Sequence, residues 1–370
     1  MLATLPIEWT DLFATKTPPD STLELRAVKK SGRAFLLVPL SPSLAARALS
    51  LYPAQTRFAR LAKSSLRAAF QIGLPLGLEK NSTKFSSRDP FPCFLAGLAS
   101  SQTGPLPPLA ILSGNAGTAG RRFVIVLFNE KNRPAFVVKA GLGDAARQLI
   151  RHEAAFLHSA PPGTPGLPQL RASFDTGAIS AFALDFMDGN SPAPDAWPAF
   201  GELLASWVDR EKQIPLREIP AWRSLEKAAA ADPVFARLSP KLAGLTVHPA
   251  IYHGDFAPWN IKLSPRAIMY SVLDWERGEL TGIPGWDWFH YVIQSGILVQ
   301  KLAPEPLAQR IEQLFAAPAF RDYARVGGIS GQERLLVIGY LGHLVNVIRP
   351  SEGFETNQSL LALLAQRWLM

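Results

Sequence analysis

Two carboxylates and one carboxamide in a fixed order are the side chains of this sequence best suited to chemistry. The run Tyr252 to Lys262, YHGDFAPWNIK, carries Asp255 and, five positions on, Asn260; the run Val272 to Glu276, VLDWE, carries Asp274 at the end of an apolar segment. Moving a γ-phosphoryl group to a hydroxyl needs little covalent work but much positioning and charge neutralisation. Asp255 suits the base that accepts or orients the proton of the acceptor hydroxyl. A Mg²⁺ ion bridging phosphates takes hard oxygen ligands, and one Asp plus one Asn carbonyl leave room in its octahedron for water and phosphate oxygens. Asn260 and Asp274 fill those two places. Between them, Ile261 to Met269 and Tyr270 to Leu273 form two apolar segments about a Ser264-Pro265 turn, the pattern of a short hairpin. The plainer reading is a buried loop whose carboxylates are only hydrogen-bonded.

His253-x-Asp255-x-x-x-x-Asn260 followed by Asp274-Trp275-Glu276 resembles the aminoglycoside phosphotransferase and choline kinase group of kinase-like enzymes. The resemblance runs over roughly residues 110 to 350 and is strongest over 252 to 287. It implies an α+β, protein-kinase-like bilobal fold, with a small mixed β-sheet N-lobe and a larger, mainly helical C-lobe. It also implies ATP and Mg²⁺ as cofactors, with Asp255 as catalytic base and Asn260 and Asp274 on the metal. Asp-Trp-Glu in place of Asp-Phe-Gly points away from protein kinases.

The same resemblance implies a lysine on a buried strand, held to the nucleotide phosphates by a helical carboxylate. The run AFVVKA, Ala135 to Ala140, reads as a strand with Lys139 near its end. Glu153 follows in Asp144 to Ala160, which reads as a helix capped by Asp144 with Ala146, Leu149, Ile150, Phe156 and Leu157 on its inner side. Lys139 and Glu153 are the expected ion pair. The plain alternatives are a lysine snorkelling to water and a solvated helix face beside Arg147 and Arg151.

Upstream, Gly114, Gly117 and Gly120 lead into the apolar run RRFVIVLF. Glycines there let backbone N–H groups approach phosphate, or simply form a hairpin or linker. A Rossmann fingerprint would open a helix and a Walker A loop would end in Gly-Lys-Ser/Thr; neither occurs. The run AFALDFMDGN, Ala181 to Asn190, reads as a strand ending in a turn. By the resemblance, Asp185, Phe186 and Met187 are candidates for the hinge that meets adenine, a plain core strand being the alternative. Pro284-Gly285-Trp286-Asp287 matches a Pro-x-x-Asp pattern of the resembling family, and the resemblance implies that Asp287 supports the catalytic loop. His253 is expected to stabilise that loop, and His290 to be either a substrate ligand or a packed core residue. Glu276 and Trp259 adjoin the site without an assigned role.

Length and composition fit this reading. With 370 residues, 48% of them hydrophobic, the chain can fill more than one core and is no disordered tail. The single Cys93 excludes an internal disulfide framework, points to a reducing cytoplasm, and is expected to be a small buried hydrophobe. The N-terminal MLATLPIEWTDLF lacks a signal-peptide pattern, and no apolar run reaches membrane-span length.

Residues 1–100 have no counterpart in the resemblance and are expected to form an extension. In it, Thr22 to Val28 and Arg33 to Leu40 make a hairpin about Lys29-Lys30-Ser31-Gly32, and Ser43 to Phe70 is helical with a break at Pro53. The basic residues Arg47, Arg57, Arg60, Lys63 and Arg67 admit a peripheral membrane contact, or charges left in water on helices packed against the body. Glu79 to Pro108 reads as a connector, with Phe91 to Leu98 as a short element. Residues 101–190 are the expected N-lobe and hinge, and 191–370 the helical C-lobe. The expected helices are Phe200 to Glu211, Arg223 to Ala231, Trp286 to Leu302, Pro306 to Leu314, Gln332 to Ile348 and Gln358 to Trp368. The function expected is an ATP- and Mg²⁺-dependent phosphotransferase acting on a hydroxyl of a sugar, aminoglycoside-like or amino-alcohol acceptor, with no nucleic-acid partner. The alternative is a kinase-fold scaffold whose N-terminal extension engages a partner.

Overall fold

Apolar side chains alternating along the first half of the chain build a single antiparallel sheet. In the computed structural model, which describes residues 8–30, 33–51, 57–74, 77–99, 105–114, 120–264, 270–348 and 353–369, that sheet has eight strands. They are β1 (Ser21–Lys30), β2 (Arg33–Pro39), β3 (Lys80–Phe85), β4 (Leu109–Ser113), β5 (Arg121–Phe128), β6 (Pro134–Leu142), β7 (Leu170–Asp175) and β8 (Ile179–Asp185), in the order β3-β1-β2-β4-β5-β6-β8-β7. The expected turn residues Ser31 and Gly32, the break at Pro53, Gly117, Pro265 and the first residues of the N-terminal run lie outside the described residues.

The chain divides into two compact units, one of residues 1–158 with 168–186, the other of 159–167 with 187–370. The boundary expected near residue 100 falls inside the first unit, because β2 pairs with β4 through Leu36–Leu112 and Leu37–Ile111 and so joins the extension to the sheet. The hairpin expectation holds: β1 and β2 pair antiparallel from Leu25–Pro39 to Lys30–Arg33. The stretch read as a connector is more than that. It contributes β3 at the sheet edge and helix α3 (Pro90–Ala99), after α1 (Pro42–Ala48) and α2 (Arg57–Gln71). The polar sequence KNSTKF hid β3, since an edge strand gains by carrying lysines that discourage further pairing.

Both faces of the sheet are covered. On one, Trp9, Leu12 and Phe13 of a short 3-10 turn and Phe91 and Leu95 of α3 pack on Leu25, Leu37, Phe123, Ile125, Val138 and Ala140. On the other, Leu44, Leu49 and Phe70 pack on Leu36, Val38, Ala110, Val126 and Phe128. Strand alternation sends Val138 and Ala140 into the first core and Val137 toward the second, so Lys139 leaves the sheet on the second face. Cys93 is exposed on α3, contrary to expectation, with its Sγ 3.1 Å from the Ser87 carbonyl.

Helix α4 (Asp144–Ser159) follows β6. Gly141 lets it approach, for a Cβ there would stand 2.7 Å from the Ala146 carbonyl oxygen. Asp144 is its first residue rather than a cap preceding it, and Leu149 is exposed instead of inward; Ala146, Ile150, Phe156 and Leu157 are buried as expected. The chain then leaves the first unit for residues 159–167, where the Gly166 carbonyl accepts the Val272 N–H at 2.7 Å and the Pro165 carbonyl accepts the Trp207 indole N–H at 2.8 Å.

The second unit is mainly helical: α5 (Gly201–Ser206), α6 (Pro220–Ala228), α7 (Pro233–Leu242), α8 (Trp286–Gln294), α9 (Pro304–Ala316), α10 (Pro318–Gly327), α11 (Glu333–His343) and α12 (Phe354–Trp368). Helices α7 and α10 were not expected; each begins at a proline, and α7 contains another, Pro240. Five-residue π-helical segments, Ser295–Val299 and Leu344–Ile348, extend α8 and α11. Two-stranded sheets complete the unit: β9 (Ile214–Pro215) with β10 (Thr246–Val247), β11 (Ala250–Tyr252) with β14 (Glu279–Gly282), and β12 (Ile261–Leu263) with β13 (Tyr270–Val272). No helix among the described residues is long and apolar enough to cross a membrane.

The extension is part of the first core, and one residue tests this. Phe13, 1% exposed among Trp9, Phe85 and Phe91, should cost about 3–5 kcal/mol of unfolding free energy as Phe13→Ala in a denaturant titration. A loss near zero would mark the extension as an appendage.

Candidate active site

The loop from His253 to Asn260 is short, and its conformation is dictated by side chains outside it. Gly254 adopts φ +77°, and a Cβ there would meet the Arg277 Cβ at 2.7 Å, so glycine is required on two grounds. Asp287, at the first turn of α8, accepts the His253 N–H at 2.8 Å on Oδ2 and the Gly254 N–H at 3.2 Å on Oδ1. This is the supporting position expected for it. Burial pushes its carboxyl up to about 7 despite those two bonds.

His253 is fully buried, and burial lowers its pKa to about 4, against the pull of Asp255. A neutral ring has one donor and one acceptor. Nδ1 lies 3.1 Å from the Asp255 N–H and must accept it, so Nε2 carries the hydrogen and donates to the Leu273 carbonyl at 2.9 Å. His253 is thus a strut between the loop and the residue preceding Asp274, as the sequence led us to expect.

Asp255 is held at both oxygens. Oδ2 accepts the Asn260 carboxamide N–H at 2.8 Å, and Oδ1 lies 2.9 Å from His290 Nε2. Burial raises its pKa, but the His290 hydrogen bond and the nearby Arg277 charge are among the effects that outweigh it, and the net shift is downward. The Asp255 side chain keeps 30% of its surface open. A partly open, ionised carboxylate can accept a proton from a ligand hydroxyl.

Asn260 also gives its Nδ2 hydrogen to the Asp255 carbonyl at 2.9 Å, which commits the nitrogen and leaves Oδ1 as the atom able to meet a cation. Leu273 donates its N–H to the Asn260 carbonyl at 2.7 Å, and β12 and β13 pair Ile261 with Val272, so the hairpin expectation holds and Asp274 follows directly. Asp274 sits at φ +71° in the left-handed region, where a short polar side chain is tolerated better than most. An amide oxygen and a carboxylate are hard donors of the type Mg²⁺ takes together with phosphate oxygens. Among the described residues no group of three or more His, Cys, Asp or Glu forms a metal site, and this donor set needs none.

In the first unit, Lys139 Nζ lies 2.7 and 2.8 Å from the two carboxylate oxygens of Glu153. Glu153 is 2% exposed and the lysine side chain 14%. The solvated-face alternative therefore fails; the nearby arginines bind other acids, Arg147 to Asp144 and Arg151 to Asp175. On the same sheet face as Lys139, Leu112, Val124 and Val137 are only half-buried. Gly114 and Gly120 join β4 to β5 as a hairpin, and Gly114 is fixed by its own packing, because a Cβ would stand 2.9 Å from the Arg122 carbonyl oxygen. Asp185 is paired with Arg171, and the Phe186 N–H donates to the Ala135 carbonyl at 2.8 Å. Met187 begins the second unit.

The sequence reading missed the bond between His290 and Asp255, and beyond it Tyr340, whose hydroxyl lies 2.8 Å from His290 Nδ1. One signal was available: His290 follows Asp287 by three residues on one helix, so both share a face toward the loop. Tyr340 carries no such mark in the sequence.

No family model and no curated protein matches the chain. Solved structures similar to it include a thermostable mutant of aminoglycoside phosphotransferase APH(4)-Ia in ternary complex with ADP and hygromycin B, at 12% identity, 70% coverage of this chain and 94% of that one, with a TM-score of 0.46. The ethanolamine kinase of Plasmodium vivax is 12% identical over 69% of this chain and 82% of its own, with a TM-score of 0.44. An aminoglycoside phosphotransferase of Streptomyces rimosus is 15% identical over 62% and 92%, with a TM-score of 0.37.

Two outcomes follow from these environments. Lys139→Met strands a buried carboxylate and should cost about 3–5 kcal/mol in equilibrium unfolding, whereas adding Glu153→Leu should recover most of that loss. Burial lowers the pKa of His343 to about 4 from 6.5, so between those pH values the unfolded state binds the extra proton and stability falls as pH falls. Comparing unfolding at pH 7 and pH 5, His343→Leu should gain about 2 kcal/mol on the wild type at the lower pH. Asp287, pushed up to about 7, contributes the opposite slope in both proteins and cancels from the difference.

Proposed function

We propose that this chain is an ATP- and Mg²⁺-dependent phosphotransferase that moves a γ-phosphoryl group to a hydroxyl of a small molecule of the sugar, aminoglycoside-like or amino-alcohol class. The observation that carries this reading is the Asp255 carboxylate held between His290 and Asn260, with Asp274 placed after the hairpin partner of Asn260. Asp255 is the base that receives the hydroxyl proton. Asn260 and Asp274 are the residues that hold Mg²⁺, which when bound neutralises phosphate charge. In the first unit, Lys139 is the phosphate cation, kept in place by Glu153, and the half-buried Leu112, Val124 and Val137 offer an apolar surface to a base.

Calorimetry with MgATP on the wild type, Asp274→Asn and Asp255→Asn tests the assignment. Metal-dependent binding is expected in the wild type, at least tenfold weaker in Asp274→Asn. Asp255→Asn should retain binding but lose about 10²- to 10⁴-fold in turnover with a panel of sugars, aminoglycosides and amino alcohols. Absence of metal-dependent nucleotide binding in the wild type would sink the proposal.

A further inference from the structure

Phosphoryl transfer asks for a base, a metal and a phosphate cation; it does not ask for a second imidazole behind the base. Yet His290, 3% exposed on α8, sits with Nε2 2.9 Å from Asp255 Oδ1 and Nδ1 2.8 Å from the hydroxyl of the fully buried Tyr340 on α11. The file Tyr340, His290, Asp255 joins α11 and α8 to the loop and ends on the carboxylate.

We infer that His290 is a positioning residue for Asp255, and that Tyr340 fixes the imidazole tautomer in which it does so. An ionised carboxylate is an acceptor only, so the nitrogen facing it must carry the hydrogen. A neutral ring then has a lone pair at Nδ1, and the Tyr340 O–H satisfies it as donor. With Oδ1 tied to His290 and Oδ2 to Asn260, the carboxylate plane cannot turn, and the remaining lone pairs face a fixed direction. The catalytic consequence, unlike the geometry, rests on the phosphotransferase reading. As the acceptor oxygen bonds to the γ-phosphorus and the bond to the bridging oxygen breaks, the hydroxyl proton passes to an Asp255 oxygen and ADP leaves with the released electron pair. Nε2 already bears a hydrogen and cannot take that proton onward. His290 holds the base and does not relay.

The assignment is tested in the full-length protein by two readouts, one independent of turnover. Imidazole ¹⁵N spectra should place the His290 hydrogen on Nε2, protected from solvent exchange in the wild type and unprotected in Asp255→Ala. In steady-state kinetics, His290→Leu should lower kcat about 10- to 100-fold with KM for MgATP within about twofold. His290→Gln, which keeps an N–H donor on a side chain of similar reach, should recover most of the loss, and Tyr340→Phe should lose about threefold to tenfold. The Gln and Phe variants nearly preserve core volume and supply the comparison if leucine is not accommodated. A hydrogen on Nδ1 alone, or an unchanged kcat in the Gln, Leu and Phe variants, would overturn the inference. If the wild type turns over no MgATP while the protected Nε2–H is present and is lost in Asp255→Ala, the phosphotransferase reading falls and the His290 assignment stands.

Discussion

A carboxylate that must stay charged while most of its surface is withdrawn from water is the constraint around which the second unit is arranged. Desolvation disfavours the charged form of Asp255, and the loop offers little to offset it locally: its own N–H is spent on the His253 ring. Compensation arrives from the amide of Asn260 at the end of the loop and from the distant imidazole of His290, and each of these is fixed in turn. Asn260 is tied through Leu273 to the β12–β13 hairpin, and His290 is braced by Tyr340. The aromatic packing of Phe256 against Phe200, Trp207 and Tyr291 closes the rear of the loop.

The first unit answers a similar problem with less machinery. Lys139 and Glu153 form a charged pair with little access to solvent, and a pair of that kind rarely repays its desolvation by stability alone. On that face its neighbours are Val137 on the same strand and, across it, Val124 and Phe182.

Much of this was legible in the sequence because the informative residues are close together in it. Asp255, Asn260 and Asp274 lie within one loop and hairpin, and Asp287 was marked by its proline pattern. Lys139 and Glu153 were found because a β-branched strand followed by an amphipathic helix fixes which side chains can meet. What stayed hidden depends on tertiary contact: Tyr340 is fifty residues from its partner His290, β3 is a polar edge strand, and α7 and α10 are short helices that each begin at a proline. Exposure of Cys93 and Leu149 was misjudged for the same reason, since hydropathy predicts a side chain's preference and packing decides its fate.

The short passage through residues 159–167 has a consequence for how the protein is made. The chain enters the second unit, returns to the first for β7 and β8, and leaves it again at Met187. On a ribosome, the sheet cannot receive its last strand until Asp185 has emerged, while the 159–167 segment must wait for Trp207 and Val272, its hydrogen-bond partners, more than a hundred residues later in the second case. Neither unit is a contiguous stretch of sequence, so the two cannot be separated by a single cut; the first is complete once Phe186 has been made, whereas the 159–167 segment waits for partners made later, a non-local step of assembly.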